Sequence, residues 1–194
     1  MEPREGGAGR LPGSRATPTN LLLTGAPGIG KTTVIQSVAE RVDKHALGGF
    51  VTEEIRVRGR RVGFRLLTFG REQATLAHVE HPAETRVGRY GVDLAALDRI
   101  VDASLNVEHG PQLFLVDEIG KMECLSQRFV SAITGLLDDE RLVVATVSFR
   151  GGGFIAEVKR RPDVLIWELS LKNRAAMPER VLAWIKRSSA HHPR

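Results

Sequence analysis

The sequence predicts an α/β fold in three layers: a mixed central sheet, parallel at its centre, with helices on both faces and an inserted β-hairpin. Three observations point there. Short apolar runs alternate with stretches of helical period. A glycine-rich loop joins the first such run to the first such stretch. Two extended runs meet around Gly59 with no helical stretch between them, which makes a hairpin rather than a βαβ unit.

Leu21 to Thr24 reads as a short buried strand. A helix follows the glycine loop from Lys31 to about Asp43, with Val34, Val38 and Val42 on one face. Phe50–Val57 and Val62–Phe69 are the hairpin arms, and Arg86–Val92 is a further extended piece. Asp93 is an N-cap for a helix carrying Leu94, Leu97, Ile100, Val101 and Leu105. Leu113–Val116 is an uninterrupted apolar run, as a strand covered on both faces should be. Ser126 caps a helix with Phe129, Val130, Ile133, Leu136 and Leu137 inward. Leu142–Val147 is a second core strand, 154–160 a short helix and Val164–Leu169 a last strand. Pro178 opens the final helix, with Val181, Leu182, Trp184 and Ile185 on its apolar face.

The chain has 194 residues, enough for one domain with a sizeable core. Residues 1–19 read as a disordered extension, 20–187 as the folded domain and 188–194 as a flexible tail. The net charge is +5, but residues 1–19 hold +1 of it and 186–194 hold +3, so the folded part is nearly neutral. The local run Arg56, Arg58, Arg60, Arg61 reads as a solvated turn, and Tyr90 is the sole tyrosine, so nucleic acid is not the expected partner. No apolar stretch reaches the roughly 18 residues of a membrane span, and no signal-peptide core stands at the N-terminus. A cytoplasmic monomer is the expectation. Cys124 is the lone cysteine, so disulfides and cysteine-built zinc sites drop out. None of the six histidines has metal-site spacing with partners; His78 and His81 share a predicted loop, and His191 and His192 fall in the tail.

Gly25, Ala26, Pro27, Gly28, Ile29, Gly30, Lys31 and Thr32 fill the pattern G-x-x-x-x-G-K-[ST] at a strand-to-helix junction. The glycines let the backbone wrap a phosphate, and its N–H groups form an anion nest at a helix N-terminus. Lys31 is placed for the β- and γ-phosphates, the Thr32 hydroxyl for Mg²⁺, and Thr33 for the α-phosphate side. The second signal is Leu113, Phe114, Leu115 and Val116 followed by Asp117 and Glu118. Strand carboxyl ends are where ligands of open α/β sheets gather. Asp117 would hold Mg²⁺ directly or through water, and Glu118 would polarise or deprotonate an attacking water. A carboxylate beside the metal ligand favours a water nucleophile over the water-excluding lid of many P-loop kinases.

These residues resemble the cancer-related nucleoside-triphosphatase family. Gly25–Thr33, Gly49–Arg56, Arg86–Tyr90 and Val116–Glu123 carry the match in order, with residues 62–64 and Asn173-Arg174 in support, over about residues 20–187. The resemblance implies a RecA-like P-loop fold. It implies slow, Mg²⁺-dependent hydrolysis of ATP, GTP, CTP and UTP to the diphosphate and phosphate. It also implies nucleotide-binding segments at 25–32 and at 113–120, the latter extending through Ile119 and Gly120. Two positions depart from the family pattern. Cys124 replaces the usual Leu, and Ser148-Phe149-Arg150 before three glycines replaces a frequent His-Arg pair. Arg150 is the candidate to neutralise charge on the transferred phosphoryl group.

Several residues keep two readings. Lys121 suits a γ-phosphate contact or an ion pair with Glu123 or Glu53, and Glu53 and Glu54 suit water ordering or a hairpin surface. Arg86 and Arg89 suit a phosphate lid or an edge strand. Asn173 and Arg174 suit a base contact or helix capping. Two other functions compete with hydrolysis: a P-loop small-molecule kinase, and a nucleotide-dependent switch read out by the hairpin.

Overall fold

The computed structural model describes residues 19–43, 46–107 and 110–190. Most of the sequence-predicted N-terminal extension and the end of the tail, His191 and His192 included, lie outside the described residues.

Among the described residues nine strands form one sheet. In chain order they are β1 (Asn20–Thr24), β2 (Leu47–Val57), β3 (Arg60–Thr68), β4 (Gln73–His78), β5 (Arg86–Val87), β6 (Tyr90–Val92), β7 (Leu113–Ile119), β8 (Leu142–Val147) and β9 (Val164–Glu168). The spatial order is β5-β6-β4-β3-β2-β7-β8-β1-β9. From β2 through β9 every pairing is parallel, and from β2 back to β5 every pairing is antiparallel. β2 joins the two regimes. Its first residues, Leu47–Phe50, run beside Leu113–Val116, and its remainder forms the hairpin with β3. The contact with β7 is tight: at Gly49, with φ +100°, a side chain would run into the Leu115 carbonyl.

Among the described residues five α-helices cover the sheet: α1 (Lys31–Ala39), α2 (Leu94–Ser104), α3 (Gln127–Asp138), α4 (Phe154–Arg160) and α5 (Met177–Ser189). Strand alternation sorts side chains between two cores. Leu21, Leu23, Leu115 and Val144 meet α1 and α5, while Leu22, Phe114, Val116 and Val143 meet α2, α3 and α4. Each fully buried aliphatic side chain contributes about 1.5–3 kcal/mol of transfer free energy. Asp93 and Ser126 cap α2 and α3 as predicted, accepting from the Ala96 N–H (2.8 Å) and the Phe129 N–H (3.0 Å).

Some details differ from the sequence reading. Arg86–Val92 is not one extended piece but two short antiparallel strands, β5 and β6, turning at Gly88. The inserted hairpin is part of a larger antiparallel extension, because β4 was not foreseen; His78 ends this strand instead of sharing a loop with His81. Only Leu76 and Ala77 of β4 are buried, too few for a period-two signal. The first helix stops at Ala39 rather than Asp43, although Val42 still packs on the core that the Val34 and Val38 spacing anticipates. β7 runs on through the acidic pair to Ile119, and the last helix continues through Ser188 and Ser189.

Candidate active site

The loop between β1 and α1 turns on glycines that only an achiral residue holds at ease. Gly28 and Gly30 sit at φ +76° and +109°, and a Cβ on Gly25 would approach the Leu169 carbonyl oxygen to 2.8 Å. The Lys31 ammonium folds back to the Gly25 carbonyl (3.4 Å) and faces Glu118 Oε2 at 3.5 Å.

The acidic pair arrives from β7. The ladder to β8 shifts register between Val116 and Ile119, and the Asp117–Glu118 peptide is cis. Asp117 is buried at 2% exposure. Its carboxylate accepts from Thr32 Oγ1 at 2.7 Å and from Thr146 Oγ1 at 2.6 Å, and its carbonyl accepts from the Thr52 hydroxyl. Burial pushes the Asp117 carboxyl upward; the two threonine donors oppose this and the charge of Glu118 adds to it. Glu118 Oε1 accepts from Ser148 Oγ at 2.6 Å. The site thus sets an oxygen donor set, the Thr32 hydroxyl and the Asp117 carboxylate, against an anion-binding loop. Such hard donors fit Mg²⁺, which draws its remaining ligands from water and phosphate. Among the described residues no cluster of three or more His, Cys, Asp or Glu forms a self-sufficient metal cage.

Glu123 is a second buried carboxyl beside this pair. A Cβ on Gly120 would lie 2.7 Å from Glu123 Oε2 and 3.0 Å from Glu118 Oε1. Burial lifts Glu123 to about 8, the charges of Glu118 and Asp117 add, and its own and the Gly120 N–H groups oppose. Burial likewise pushes the Cys124 thiol up to about 12, and the residue packs against the core as an unreactive small hydrophobe.

These groups open on a cleft of about 740 Å³. Pro27, Gly28, Gly30, Lys31, Thr32 and Thr33 form one wall, with Asp117 and Glu118 at its centre. Beyond them the cleft continues along Thr52, Glu53, Glu54, Lys121, Met122 and Glu123 to Phe64, Leu76 and Val87.

Of the remaining sequence-predicted residues, Glu53, Glu54 and Lys121 line the cleft and the others fall outside it. Leu113, Phe114, Leu115, Val116 and Ile119 are core residues, their side chains spent on packing, so they position the acidic pair and do not face the cleft. Gly25, Ala26, Ile29 and Gly120 are not part of the cleft lining. Arg150 is exposed and does not line the cleft. Glu53 pairs with Arg65 (2.8 Å), and Glu54 pairs with Arg61 (2.8 Å) and Arg56. Lys121 lines the cleft without an ion pair among the described residues. Arg86 and Arg89 build the edge: the Arg86 guanidinium donates to the Arg89 carbonyl (2.6 Å), and Arg89 donates to the Tyr90 hydroxyl (3.2 Å). Asn173 closes the turn after β9, accepting from the Ser170 N–H and donating to the Glu168 carbonyl.

Sequence reasoning missed Thr52, Thr146, Ser148 and Glu123 as members of the site. Thr146 gave a signal, a hydroxyl inside an otherwise apolar strand, which burial obliges to find a partner.

Comparison with known proteins agrees with this geometry. The profile of the NTPase family matches residues 20–182. Nucleoside-triphosphatase THEP1 of Thermotoga sp. (strain RQ2) is 40% identical over 167 residues, 86% of this chain and 95% of the relative. The human cancer-related nucleoside-triphosphatase is 33% identical over 171 residues, 80% of this chain and 90% of the relative. The solution structure of a human cancer-related nucleoside triphosphatase superposes with a TM-score of 0.74 at 31% identity, covering 87% of this chain and 98% of that one. The crystal structure of THEP1 from Aquifex aeolicus gives 0.71 at 30% identity, covering 86% and 98%. A glycine loop against a buried hydroxyl–carboxylate pair, on a mixed sheet shared with these proteins, shows that this chain belongs to the NTPase family and has its P-loop fold.

Proposed function

We propose that the cleft binds a Mg²⁺–nucleoside triphosphate and that the chain hydrolyses its terminal phosphate, giving the diphosphate and inorganic phosphate. The observation that carries the reading is the convergence of Lys31, Thr32, Asp117 and Glu118 from two strand ends onto the glycine loop. The free N–H groups of the glycine loop, to which Pro27 contributes none, and the α1 N-terminus hold the phosphates. Lys31 neutralises their charge and bridges toward Glu118. Thr32 and Asp117 would hold Mg²⁺, which neutralises charge on the terminal phosphates when bound. Glu118 takes the proton of the attacking water, oriented by Ser148 on one oxygen and Lys31 near the other. Arg150 has no part in this reading. Turnover of ATP, GTP, CTP and UTP alike belongs to this reading through the family resemblance. The family resemblance supports a slow rate. On the same reading residues 20–187 act as one monomeric catalytic domain, cytoplasmic in location; among the described residues no helix is long and apolar enough to cross a membrane.

The test is phosphate release from each of the four triphosphates, with Mg²⁺ and without an acceptor, beside Glu118→Gln. All four should turn over, and the variant should lose about 10²-fold in kcat. An unchanged variant removes Glu118 as the base. A second reading, phosphoryl transfer to a small molecule, is favoured by one observation: the cleft runs past Glu118 to the apolar wall of Phe64, Leu76 and Val87. Negligible phosphate release in the same assay would move the assignment to transfer.

A further inference from the structure

Lys159 is far from every motif, yet its ammonium ends beside the catalytic cluster. It stands near the end of α4 and donates to two consecutive carbonyls, Ser148 (2.5 Å) and Phe149 (3.0 Å). Those carbonyls belong to the segment after β8, which continues into Gly151, Gly152 and Gly153. Three glycines supply no side chain to order such a segment. Its fixed points on the other side are the Ser148 N–H, donated to the Ile119 carbonyl at 3.1 Å, and the Ser148 hydroxyl, donated to Glu118 Oε1 at 2.6 Å.

We propose that Lys159 is a positioning residue for hydrolysis: it clamps Ser148 from behind, and Ser148 in turn fixes the Glu118 carboxylate that receives the water proton. The inference rests on the assignment of Glu118 as base. Three features of the geometry support it. The connection is continuous, from the Lys159 ammonium to the Ser148 carbonyl, through the same residue's hydroxyl to Glu118 Oε1, and from Glu118 Oε2 to Lys31 at 3.5 Å. Two of the three ammonium protons of Lys159 are spent on backbone carbonyls, and its side chain does not line the cleft, so it acts through the loop and not on phosphate. Phe149, held by the same ammonium, does line the cleft, so the clamp also sets the wall next to the base. Burial, with the charge of Lys31 adding and that of Glu118 opposing, pulls the Lys159 ammonium below its ordinary range, which places it within electrostatic reach of both partners. A lysine suits the task, since a compact ammonium can bond two adjacent carbonyls at once.

The experiment is steady-state phosphate release and nucleotide-binding affinity for Lys159→Met, Lys159→Arg and Ser148→Ala. Lys159→Met and Ser148→Ala are also combined with each other, and Lys159→Met is combined with Glu118→Gln. Misplacing the base predicts a kcat lower by about 10- to 100-fold in Lys159→Met, with affinity for the triphosphate unchanged. Lys159→Arg, which keeps charged donors, should recover part of the loss. The Lys159→Met and Ser148→Ala pair should be no slower than Ser148→Ala alone, and Lys159→Met should add nothing in the Glu118→Gln background. Full activity in Lys159→Met beside a slow Glu118→Gln overturns the clamp and leaves the base assignment standing. A fast Glu118→Gln overturns the base itself. Losses that multiply in the combined variants, or affinity that falls in step with kcat, also overturn the clamp. Ser148→Ala, a minimal truncation, keeps the question decidable should Lys159→Met fold poorly: full activity there breaks the relay at its middle link.

Discussion

Every residue of β8 is buried, whereas on β3 only Gly63, Leu66 and Thr68 are. The parallel half of the sheet has helices on both faces and side chains sorted into two cores. In the antiparallel half Leu66, Leu76 and Ala77 join the core against α2, and exposed arginines and glutamates pair along and across β2 and β3. The phosphate chemistry sits at the carboxyl ends of the parallel strands, against the dry side. There a hydroxyl or carboxylate without a partner is costly, so Thr32, Thr146 and Asp117 lock together. The difference teaches that the site's precision comes from the parallel half, while the antiparallel half supplies an outer wall that tolerates change.

The sharpest way to break that contrast is to remove one large side chain from each half. Phe114 is fully buried between β2 and the helices α2 and α3, its ring against the Gly48 backbone. Phe114→Ala should cost about 3–5 kcal/mol of unfolding free energy, measured by denaturant titration. Phe64 is half-buried, with the Arg61 guanidinium 5.1 Å from its ring centroid and Tyr90 edge-on at 5.2 Å. Its truncation should cost distinctly less, since that site stays open to water. Equal losses would mean that the outer wall is as much a part of the core as the centre.

This asymmetry also explains what was legible in the sequence. Leu142–Val147 and 154–160 were read with the bounds they have, and the glycine loop was placed at its strand-to-helix junction, because burial on both faces writes unbroken apolar runs and loop chemistry demands glycine. β4 left no such record, since Gln73 and Thr75 are exposed and the two buried residues are adjacent. Within the site, Lys31, Thr32, Asp117 and Glu118 were legible because they lie within two contiguous motifs. Thr52, Thr146, Ser148 and Lys159 come from three other places in the chain, β2, the end of β8 and α4, each a polar residue whose partner only the fold supplies. Arg150 shows the converse: its neighbours in sequence are near the site, but its side chain faces solvent.

Smaller than the loss at Phe114, and confined to the dry side, is a dependence on pH. Folding lifts Glu123 from 4.5 to about 8, so the native state keeps a proton that the unfolded chain has released between those values. Stability therefore falls as pH rises through that window. Asp117, also raised by burial, acts in the same direction. Glu54 and Asp163 are held low by arginine partners, and their stabilisation is already complete above their unfolded values. The unfolding free energy of nucleotide- and metal-free protein, measured by denaturant titration, should thus drop between about pH 5.5 and about pH 8, by an amount on the order of a few kcal/mol. Glu123→Gln should flatten the drop without abolishing it. Parallel curves for the two proteins would show that Glu123 does not titrate in this window.

The smallest effect belongs to the outer face. Arg65 donates through Nε (3.1 Å) and Nη2 (2.8 Å) to one oxygen of Glu53, and both side chains are more than a third exposed. Water screens such a pair, and holding two long side chains together costs conformational entropy. A double-mutant cycle of Arg65→Gln and Glu53→Gln should return a coupling of about 0.2–1 kcal/mol at low salt, and less at high salt. A coupling several times larger and insensitive to salt would mean that the outer face is electrostatically dry. Since Glu53 lines the cleft, the pair would then belong with the buried machinery around Asp117, and the division between a precise half and a tolerant half would fail there.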